Sequence, residues 1–440
     1  MIFKNLKAAA LILADIAAFY VALFAALFIR YGLDEIVFRW PAHFKPFTII
    51  LILWVIVFYI FDLYAPKAFK NRLELARLWV WAILIGFIIA IASFYIFESF
   101  FQLTPKTNLI VFTLLFGIFG FLLRAWQINL YKSPQWQTRC AILGDSENLK
   151  QVSTIIEMNP TYGYKNMLWI KDVTVIQKEE LIKQIKEKQI ELLVIHPELM
   201  KNPKIVSISY NLLPLNVQIR SFADFYEEIF RIEPLEDLGE EWFIKEIEVG
   251  KKLYDTGKRS SDLFLSLVLL IVFSPLFLII TALIKLTSPG PAIFKQIRVG
   301  RNGTNFNLYK FRTMKHEVSG SLWTEKKDPR ITPVGKILRA SHLDELLQLF
   351  NIIKGDISFV GPRPERVELA QKYSVLPHYD MRHIIRPGLT GWAQLNFKAS
   401  TSVEEAKEKL KYDLYYVKNR SFVLDLLIML KTIRLIFQNH

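Results

Sequence analysis

The sequence predicts a three-part membrane protein: a four-span helical bundle over residues 1–132, a Rossmann-like α/β domain over 133–250, and a monotopic α+β domain over 251–440, entered through a re-entrant helix at 262–285. Three observations predict it. Four apolar stretches, each close to the ~20 residues needed to cross a bilayer, crowd the N-terminal region. Strand-like and helix-like segments then alternate, as in a parallel sheet. A fifth apolar stretch carries Ser274-Pro275 at its middle and basic residues on both flanks.

Composition agrees with this mixture. Of 440 residues, 52% are hydrophobic and 14% aromatic, yet 22% are charged. Membrane segments joined to water-facing parts give such a balance. The net charge of +14 suits the cytoplasmic flank of a membrane protein, anionic lipid and phosphate substrates, and we assign it to these rather than to nucleic acid. The single cysteine, Cys140, excludes an intramolecular disulfide and a cysteine-based zinc cluster.

The expected spans are Ala8–Ile29, Phe47–Phe61, Leu78–Phe97 and Leu109–Leu123. Lys and Arg set their orientation. Lys4, Lys7, Lys67, Lys70, Arg72, Arg77, Arg124, Lys132 and Arg139 lie on one side, against Arg30, Arg39, Lys45 and Lys106 on the other. That bias places the N-terminus and everything after residue 130 in the cytoplasm. Asp15 is the one acid inside a span, and a structural pairing with a neighbouring helix is expected of it.

In the α/β domain, strands are expected at Arg139–Gly144, Ile190–His196 and Asn216–Arg220. Helices are expected at Glu147–Glu157, Leu181–Lys188 and Ile205–Leu212. A dinucleotide site needs three glycines in the first strand-to-helix turn. Here only Gly144 is present, and Asp145 and Glu147 would repel a pyrophosphate. The domain therefore reads as a scaffold or regulatory module without a nucleotide.

Leu263–Ile284 is long enough to span, but Pro275 removes a backbone donor at its centre. Ser274 can satisfy the freed carbonyl. Lys251, Lys252, Lys258 and Arg259 precede the stretch and Lys285, Lys295, Arg298 and Arg301 follow it. Each arm is about one leaflet deep at ~1.5 Å per residue. These features predict a bent helix with both ends on the cytoplasmic face.

The last part is organised around Gly335–Glu365. Asp344 and Glu345 sit side by side before an apolar face of Leu343, Leu346, Leu347 and Phe350. Ser341 and Asp344 fit a capping box, S-x-x-D, at the start of a helix, where the free N–H groups favour anions. Arg339 precedes the pair and Arg363 follows it, in a Pro362-Arg363-Pro364 turn. Two acids between two arginines suggest chemistry on phosphate. Phe306–Phe311 reads as a strand carrying Lys310, with Arg312 just beyond. Trp392 fits either an interface or a core. Glu404–Lys418 reads as a charged helix, and Phe422–Phe437, with Asp425, Lys431 and Arg434, as an amphipathic helix lying on the membrane.

A set of motifs occurs here in order: Lys258-Arg259 with Asp262, Ser274-Pro275, Ser288-Pro-Gly-Pro291, Lys310-Phe-Arg-Thr-Met314, Asp328-Pro-Arg-Ile-Thr332, Leu343-Asp-Glu-Leu346, Lys354-Gly-Asp-Ile-Ser358, Val360-Gly-Pro-Arg-Pro-Glu365 and Arg386-Pro-Gly-Leu-Thr-Gly391. Together they resemble the bacterial sugar transferase family, the polyprenyl-phosphate hexose-1-phosphate transferases, from about Lys258 to the C-terminus. The N-terminal spans and the degenerate nucleotide-binding-like domain resemble its long members. Leu347 stands where many members have proline.

The resemblance implies transfer of hexose-1-phosphate from a UDP-hexose to undecaprenyl phosphate. UMP is released, Mg²⁺ assists, and a covalent phosphosugar forms on Asp344, with Glu345 its partner in the dyad. This would initiate exopolysaccharide, capsule, O-antigen or glycan assembly at the cytoplasmic face of a bacterial inner membrane. The chemistry fits: a carboxylate attacking phosphorus splits one hard transfer into two easier ones. The diphosphate oxygens then require cations, for which Mg²⁺ on Asp344, Arg339, Arg363, Lys310 and Arg312 are candidates. Glu345 would either help hold Mg²⁺ or orient Asp344. Two other classes are weighed, a lipid glycosyltransferase releasing UDP and a non-enzymatic membrane sensor. A homodimer is a further expectation. No residue names the sugar.

Overall fold

The computed structural model describes residues 2–64, 72–97, 106–172, 177–248, 250–315, 328–397 and 402–438. Lys67 and Lys70, used above for orientation, lie outside them. The chain forms two compact units, Met1–Ile229 and Phe230–His440. By length and composition, the helices able to cross a membrane lie at Ala9–Ile60, Arg72–Ile96, Thr107–Lys132 and Lys252–Thr287.

The first two expected spans belong to one helical element, α1 (Ile2–Ile60), broken at Gly32 with φ 75° and ψ 176°. Glycine tolerates that left-handed backbone without a Cβ clash. The arms on either side lie against each other, since Phe19 meets Trp54 at 6.2 Å between ring centroids and the Tyr20 and Thr48 hydroxyls are 2.9 Å apart. α2 (Arg72–Ile96) and α3 (Lys106–Lys132) complete the bundle. The Trp54 indole donates to Gly86 O at 2.8 Å, and that of Trp79 to Gly117 O at 2.9 Å. Asp15 forms a buried ion pair with Arg124, whose guanidinium stands 5.2 Å from the Tyr64 and Trp79 rings. Arg124 is 1% exposed. It also donates to Leu63 O in the turn that follows α1, so its charge is taken up inside the protein.

The α/β region holds four parallel strands, β1 (Thr138–Leu143), β2 (Tyr164–Ile170), β3 (Leu192–Ile195) and β4 (Gln218–Ser221), in the order β2-β1-β3-β4. β2 is an addition to the expected strands. It sits at a sheet edge, and its Lys165 and Asn166 dilute the apolar signal. Ser146 caps α4 (Glu147–Met158) by accepting from Leu149 N at 3.2 Å. Gly144 has φ +120°, and a Cβ there would lie 2.6 Å from that of His196. This glycine therefore answers to local packing.

Residues 230–248, which the sequence reading groups with the α/β domain, pack on the C-terminal unit. Arg231 O accepts from the Trp392 indole at 2.9 Å, and Phe243 stacks near His378 at 4.2 Å. Trp392 is thus a core residue, 3% exposed. The unit is entered through α5 (Lys252–Thr287), a 36-residue helix with Pro275 inside. The Ser274 hydroxyl donates to Ile271 O at 2.8 Å, the carbonyl that Pro275 leaves without its usual donor. β5 (Ile293–Val299) and β6 (Asn305–Phe311) form an antiparallel hairpin. Ahead lie α6 (Pro333–Ala340) and α7 (Gln348–Lys354), then β7 (Ser358–Val360), paired in parallel with β8 (Gly388–Thr390). α8 (Val403–Asn419) starts with a capping box of Ser402 and Glu405, and α9 (Phe422–Gln438) ends the chain.

Asp425 does not lie on a solvent-facing stripe of α9. It is 5% exposed and accepts from Tyr254 OH at 2.7 Å, Tyr416 OH at 2.6 Å and Lys258 Nζ at 2.6 Å. Three donors offset the cost of burying a carboxylate. They tie α9 to the start of α5, while Leu427 and Ile428 enter the same core as Ile352, Val360 and Trp392.

Candidate active site

Thr332 caps α6, its hydroxyl accepting from Gly335 N at 2.9 Å. The helix ends at Ala340, and the Ser341 hydroxyl donates back to Ile337 O at 2.8 Å. The capping box expected from Ser341 and Asp344 is therefore absent, because Ser341 closes the preceding helix. His342 takes a left-handed backbone, φ 55°, which no local motif signals. A single 3₁₀ turn, Leu343–Glu345, then presents the two acids, and α7 begins only at Gln348. Leu343, Leu346 and Leu347 do share an apolar side, packed against Ile280, Ile284 and Phe311. Core contacts hold the turn, and a long helix is not needed.

The two carboxylates differ sharply. Glu345 Oε1 accepts from Lys310 Nζ at 2.6 Å and from Arg363 Nη2 at 2.8 Å. Burial would raise its pKa, but the charges of Arg363 and Lys310 override this and hold it well below the usual carboxylate range. Asp344 has no hydrogen bond or ion pair among the described residues. Burial first, and then the adjacent Glu345 carboxylate, raise its pKa, against the smaller opposing effects of Lys310 and Arg339. Burial lowers the pKa of Lys310, which Glu345 partly restores.

The other expected cations divide. Arg339 donates its Nε to Thr313 Oγ1 at 2.8 Å and bears electrostatically on Asp344. Arg312 points elsewhere: it is 6% exposed, and its Nη2 donates to Ser288 O at 2.8 Å and Ser288 Oγ at 2.7 Å. It holds the Ser288-Pro-Gly-Pro291 turn at the end of α5. Lys310 and Arg363 converge on the dyad through Glu345.

Sequence reading misses what fixes Arg363. Successive carbonyls from Pro362 to Glu365 accept from Gly388 N at 2.9 Å, Arg382 Nη2 at 3.0 Å, Arg298 Nη1 at 3.1 Å and Val299 N at 3.0 Å. Arg382 is itself held by Asp413, with Nε at 3.0 Å and Nη2 at 2.8 Å, and Glu365 pairs with Lys409. Burial works against Glu365, yet Lys409 and Arg382 lower its pKa to about 2. The motif Pro-Arg-Pro-Glu hints at a stiff turn, but its partners are remote in sequence.

Magnesium can be tested against these residues. No group of three or more metal-ligating side chains occurs among the described residues. Mg²⁺ commonly needs only one or two carboxylates plus substrate phosphates. Asp344, which forms no hydrogen bond or ion pair among the described residues, fits that role, whereas Glu345 Oε1 is already engaged by two cations.

The fold joins membrane-length helices to a half-buried acid pair flanked by cations. The bacterial sugar transferase family model matches residues 253–439. A UDP-N-acetylgalactosamine-undecaprenyl-phosphate N-acetylgalactosaminephosphotransferase of Aeromonas hydrophila is 43% identical over 187 residues, which are 42% of this chain and 44% of that relative. The exopolysaccharide production protein PSS of Rhizobium leguminosarum bv. phaseoli is 44% identical over 185 residues, 40% of this chain and 92% of that relative. A UDP-glucose:undecaprenyl-phosphate glucose-1-phosphate transferase of Xanthomonas campestris pv. campestris is 30% identical over 323 residues, 68% of this chain and 67% of that relative. The chain belongs to the bacterial sugar transferase family. The match thus spans less than half of the Aeromonas relative, about two thirds of the Xanthomonas relative and nearly all of the Rhizobium protein.

Proposed function

We propose that the protein transfers hexose-1-phosphate from a UDP-hexose to undecaprenyl phosphate, releasing UMP. An Asp344 carboxylate oxygen attacks the sugar-bearing phosphorus. The bond from that phosphorus to the bridging oxygen of the diphosphate breaks, and UMP leaves with the electron pair. A phosphate oxygen of undecaprenyl phosphate then attacks the same phosphorus. The aspartyl bond breaks, the carboxylate is regenerated and undecaprenyl-diphosphate hexose departs. The observation that carries this reading is the asymmetry of the dyad: Glu345 is bound by Lys310 and Arg363, while Asp344 forms no hydrogen bond or ion pair among the described residues. Glu345 fixes the two cations beside the nucleophile, so they are placed before substrate arrives. Bound magnesium would neutralise diphosphate charge from Asp344. The names of the Aeromonas and Xanthomonas relatives support the donor and acceptor classes.

The same reading places α5 as a re-entrant helix in the cytoplasmic leaflet of a bacterial inner membrane. Two contacts support it. Arg259 donates to Ile352 O at 2.5 Å and Ile353 O at 2.7 Å, and Phe277 lies 6.3 Å from Phe350. Both arms of α5 therefore reach the single short helix α7. Phe264, Ile271 and Leu278 remain more than 70% exposed, as a lipid-facing helix requires. An acceptor phosphate at headgroup level could be met there without drawing its chain into water, which costs ~0.8 kcal/mol per CH₂. The α/β region serves as a Rossmann-like scaffold or regulatory module.

The test is nucleotide release by the protein in nanodiscs with undecaprenyl phosphate, Mg²⁺ and a panel of UDP-sugars. UMP from one donor, absent in Asp344→Asn, is the expected result. UDP would move the protein to the glycosyltransferases. No release from any donor, with folded protein, would favour the sensor.

A further inference from the structure

A second cationic site lies at the N-terminal foot of α5. A cavity of about 490 Å³ opens there, lined by six cations, Lys252, Lys258, Arg259, Arg301, Arg386 and Arg420, and by two acids, Asp255 and Asp262. None of Lys310, Arg339, Asp344, Glu345 and Arg363 lines it. Two of the six cations have acidic neighbours: Lys258 binds Asp425 at 2.6 Å, and Arg420 lies 3.8 Å from Asp255. The three remaining guanidiniums form no ion pair among the described residues, although Asp262 and Asp255 bear on Arg386 less strongly than Arg259 and Arg301 do. Arg259 donates to the Ile352 and Ile353 carbonyls, and Arg301 donates its Nε to Ile384 O at 3.2 Å. Carbonyls accept hydrogen bonds without cancelling the positive charge, and the six cations outnumber the two carboxylates that line the cavity. Arg386 has no hydrogen bond or ion pair among the described residues. Asp262 accepts from Phe359 N at 3.4 Å and forms no ion pair with any of the three. Burial, then the charges of Arg259 and Arg301, hold the Arg386 pKa below its ordinary value.

Three like charges facing one cavity repel one another unless an anion lies between them. Guanidinium forks match phosphate oxygens in pairs. We propose that this cavity binds a phosphate-bearing anion, separately from the Asp344–Glu345 site, with Arg386, Arg301 and Arg259 as its donors. The cavity adjoins the start of the apolar run at Leu263, so the phosphate comes either from an anionic lipid headgroup or from a soluble phosphate compound. The chemistry of recognition is the same in both cases. This inference does not depend on the transfer reaction, and its test reads Arg386 directly rather than nucleotide release.

The full chain in phosphatidylcholine nanodiscs is treated with phenylglyoxal, and adducts at Arg386 are quantified by mass spectrometry. Inorganic phosphate is titrated at constant ionic strength against a chloride control. Arg386 is expected to react, and to be protected by phosphate along a saturable curve. Arg301→Gln, an exposed position that leaves the fold intact, should raise the half-protecting concentration about tenfold, the scale of ~1.4 kcal/mol. A parallel set of nanodiscs contains phosphatidylglycerol. Protection there without added phosphate assigns the site to a headgroup, and protection only on adding phosphate assigns it to a soluble ligand. Equal labelling of Arg386 under all conditions would overturn the proposal. So would a failure of Arg386 to label at all, or a protection curve indifferent to Arg301→Gln.

Discussion

Asp344 and Glu345 are adjacent in the chain, and their carboxyl pKa values move in opposite directions: Asp344 upward through burial and its neighbour's charge, Glu345 downward under Arg363 and Lys310. One turn thus carries a clamped acid and an uncommitted one. Environments that push two carboxyls apart assign them different roles.

Removing the two acids should therefore have unlike effects. Asp344→Asn should abolish nucleotide release and keep the fold, because a neutral amide relieves a half-buried like-charge contact. Glu345→Gln leaves Lys310, 17% exposed, without its carboxylate. Loss of one partner of this half-buried pair should cost somewhat less than the ~3 kcal/mol of a fully buried one. Thermal unfolding in nanodiscs should show the second variant melting earlier than the first.

The pH dependence follows with a definite sign. Asp344, raised when folded, contributes stability below its unfolded pKa that is lost as pH rises through its folded value. Glu345, lowered when folded, contributes stability above its unfolded pKa that is lost as pH falls through its folded value. Asp344→Asn should accordingly raise the unfolding midpoint at neutral pH, with the gain disappearing in acid. Activity needs the Asp344 carboxylate, so the acid limb of the pH–rate profile should lie above ~3.9, the ordinary aspartate value. In Glu345→Gln the neighbouring negative charge is gone and Lys310 is released toward Asp344. Both changes move that limb to lower pH, and a limb that stays put would remove Glu345 as the cause.

Arg382 is expected to position the site without touching substrate. It links Asp413 to the Arg363 carbonyl, and both Arg382 and Asp413 are 3% exposed. Arg382→Ala should cost about 3–5 kcal/mol by leaving Asp413 buried and unpaired. Arg382→Lys keeps the charge but cannot make the same planar set of contacts. Its kcat should fall about tenfold, or ~1.4 kcal/mol in the barrier, with KM for the donor nearly unchanged. Loss of donor affinity alone would instead place Arg382 among the binding groups.

The path of α5 is open to a cysteine-accessibility experiment. Lys252→Cys and Lys295→Cys, at exposed positions on either flank of the apolar run, should both label with an impermeant reagent from the cytoplasmic side, and native Cys140 is buried and gives no background. Labelling from opposite sides would show a crossing helix. Pro275→Ala restores the donor to Ile271 O and should shift the population toward such a crossing.

By itself the sequence determined the features that depend on near neighbours. Pro275 frees the carbonyl four residues back, and Ser274 is close enough to serve it. Alternating apolar segments specified a parallel sheet, although the edge strand Tyr164–Ile170 is too polar at its start to carry that signal. The ordered motifs after Lys258 located the acid pair and its nearest candidate cations. Only the tertiary structure decided which acid is clamped, because Lys310 comes from β6 and Arg363 from a turn whose carbonyls are held by Arg298 and Arg382. It also turned Ser341 into the close of one helix through a positive φ at His342, sent Arg312 to Ser288, and buried Asp425 among three donors. Local propensity acts over a few residues, whereas the charge state of a buried carboxylate depends on whatever cations the folded chain brings within about 4 Å.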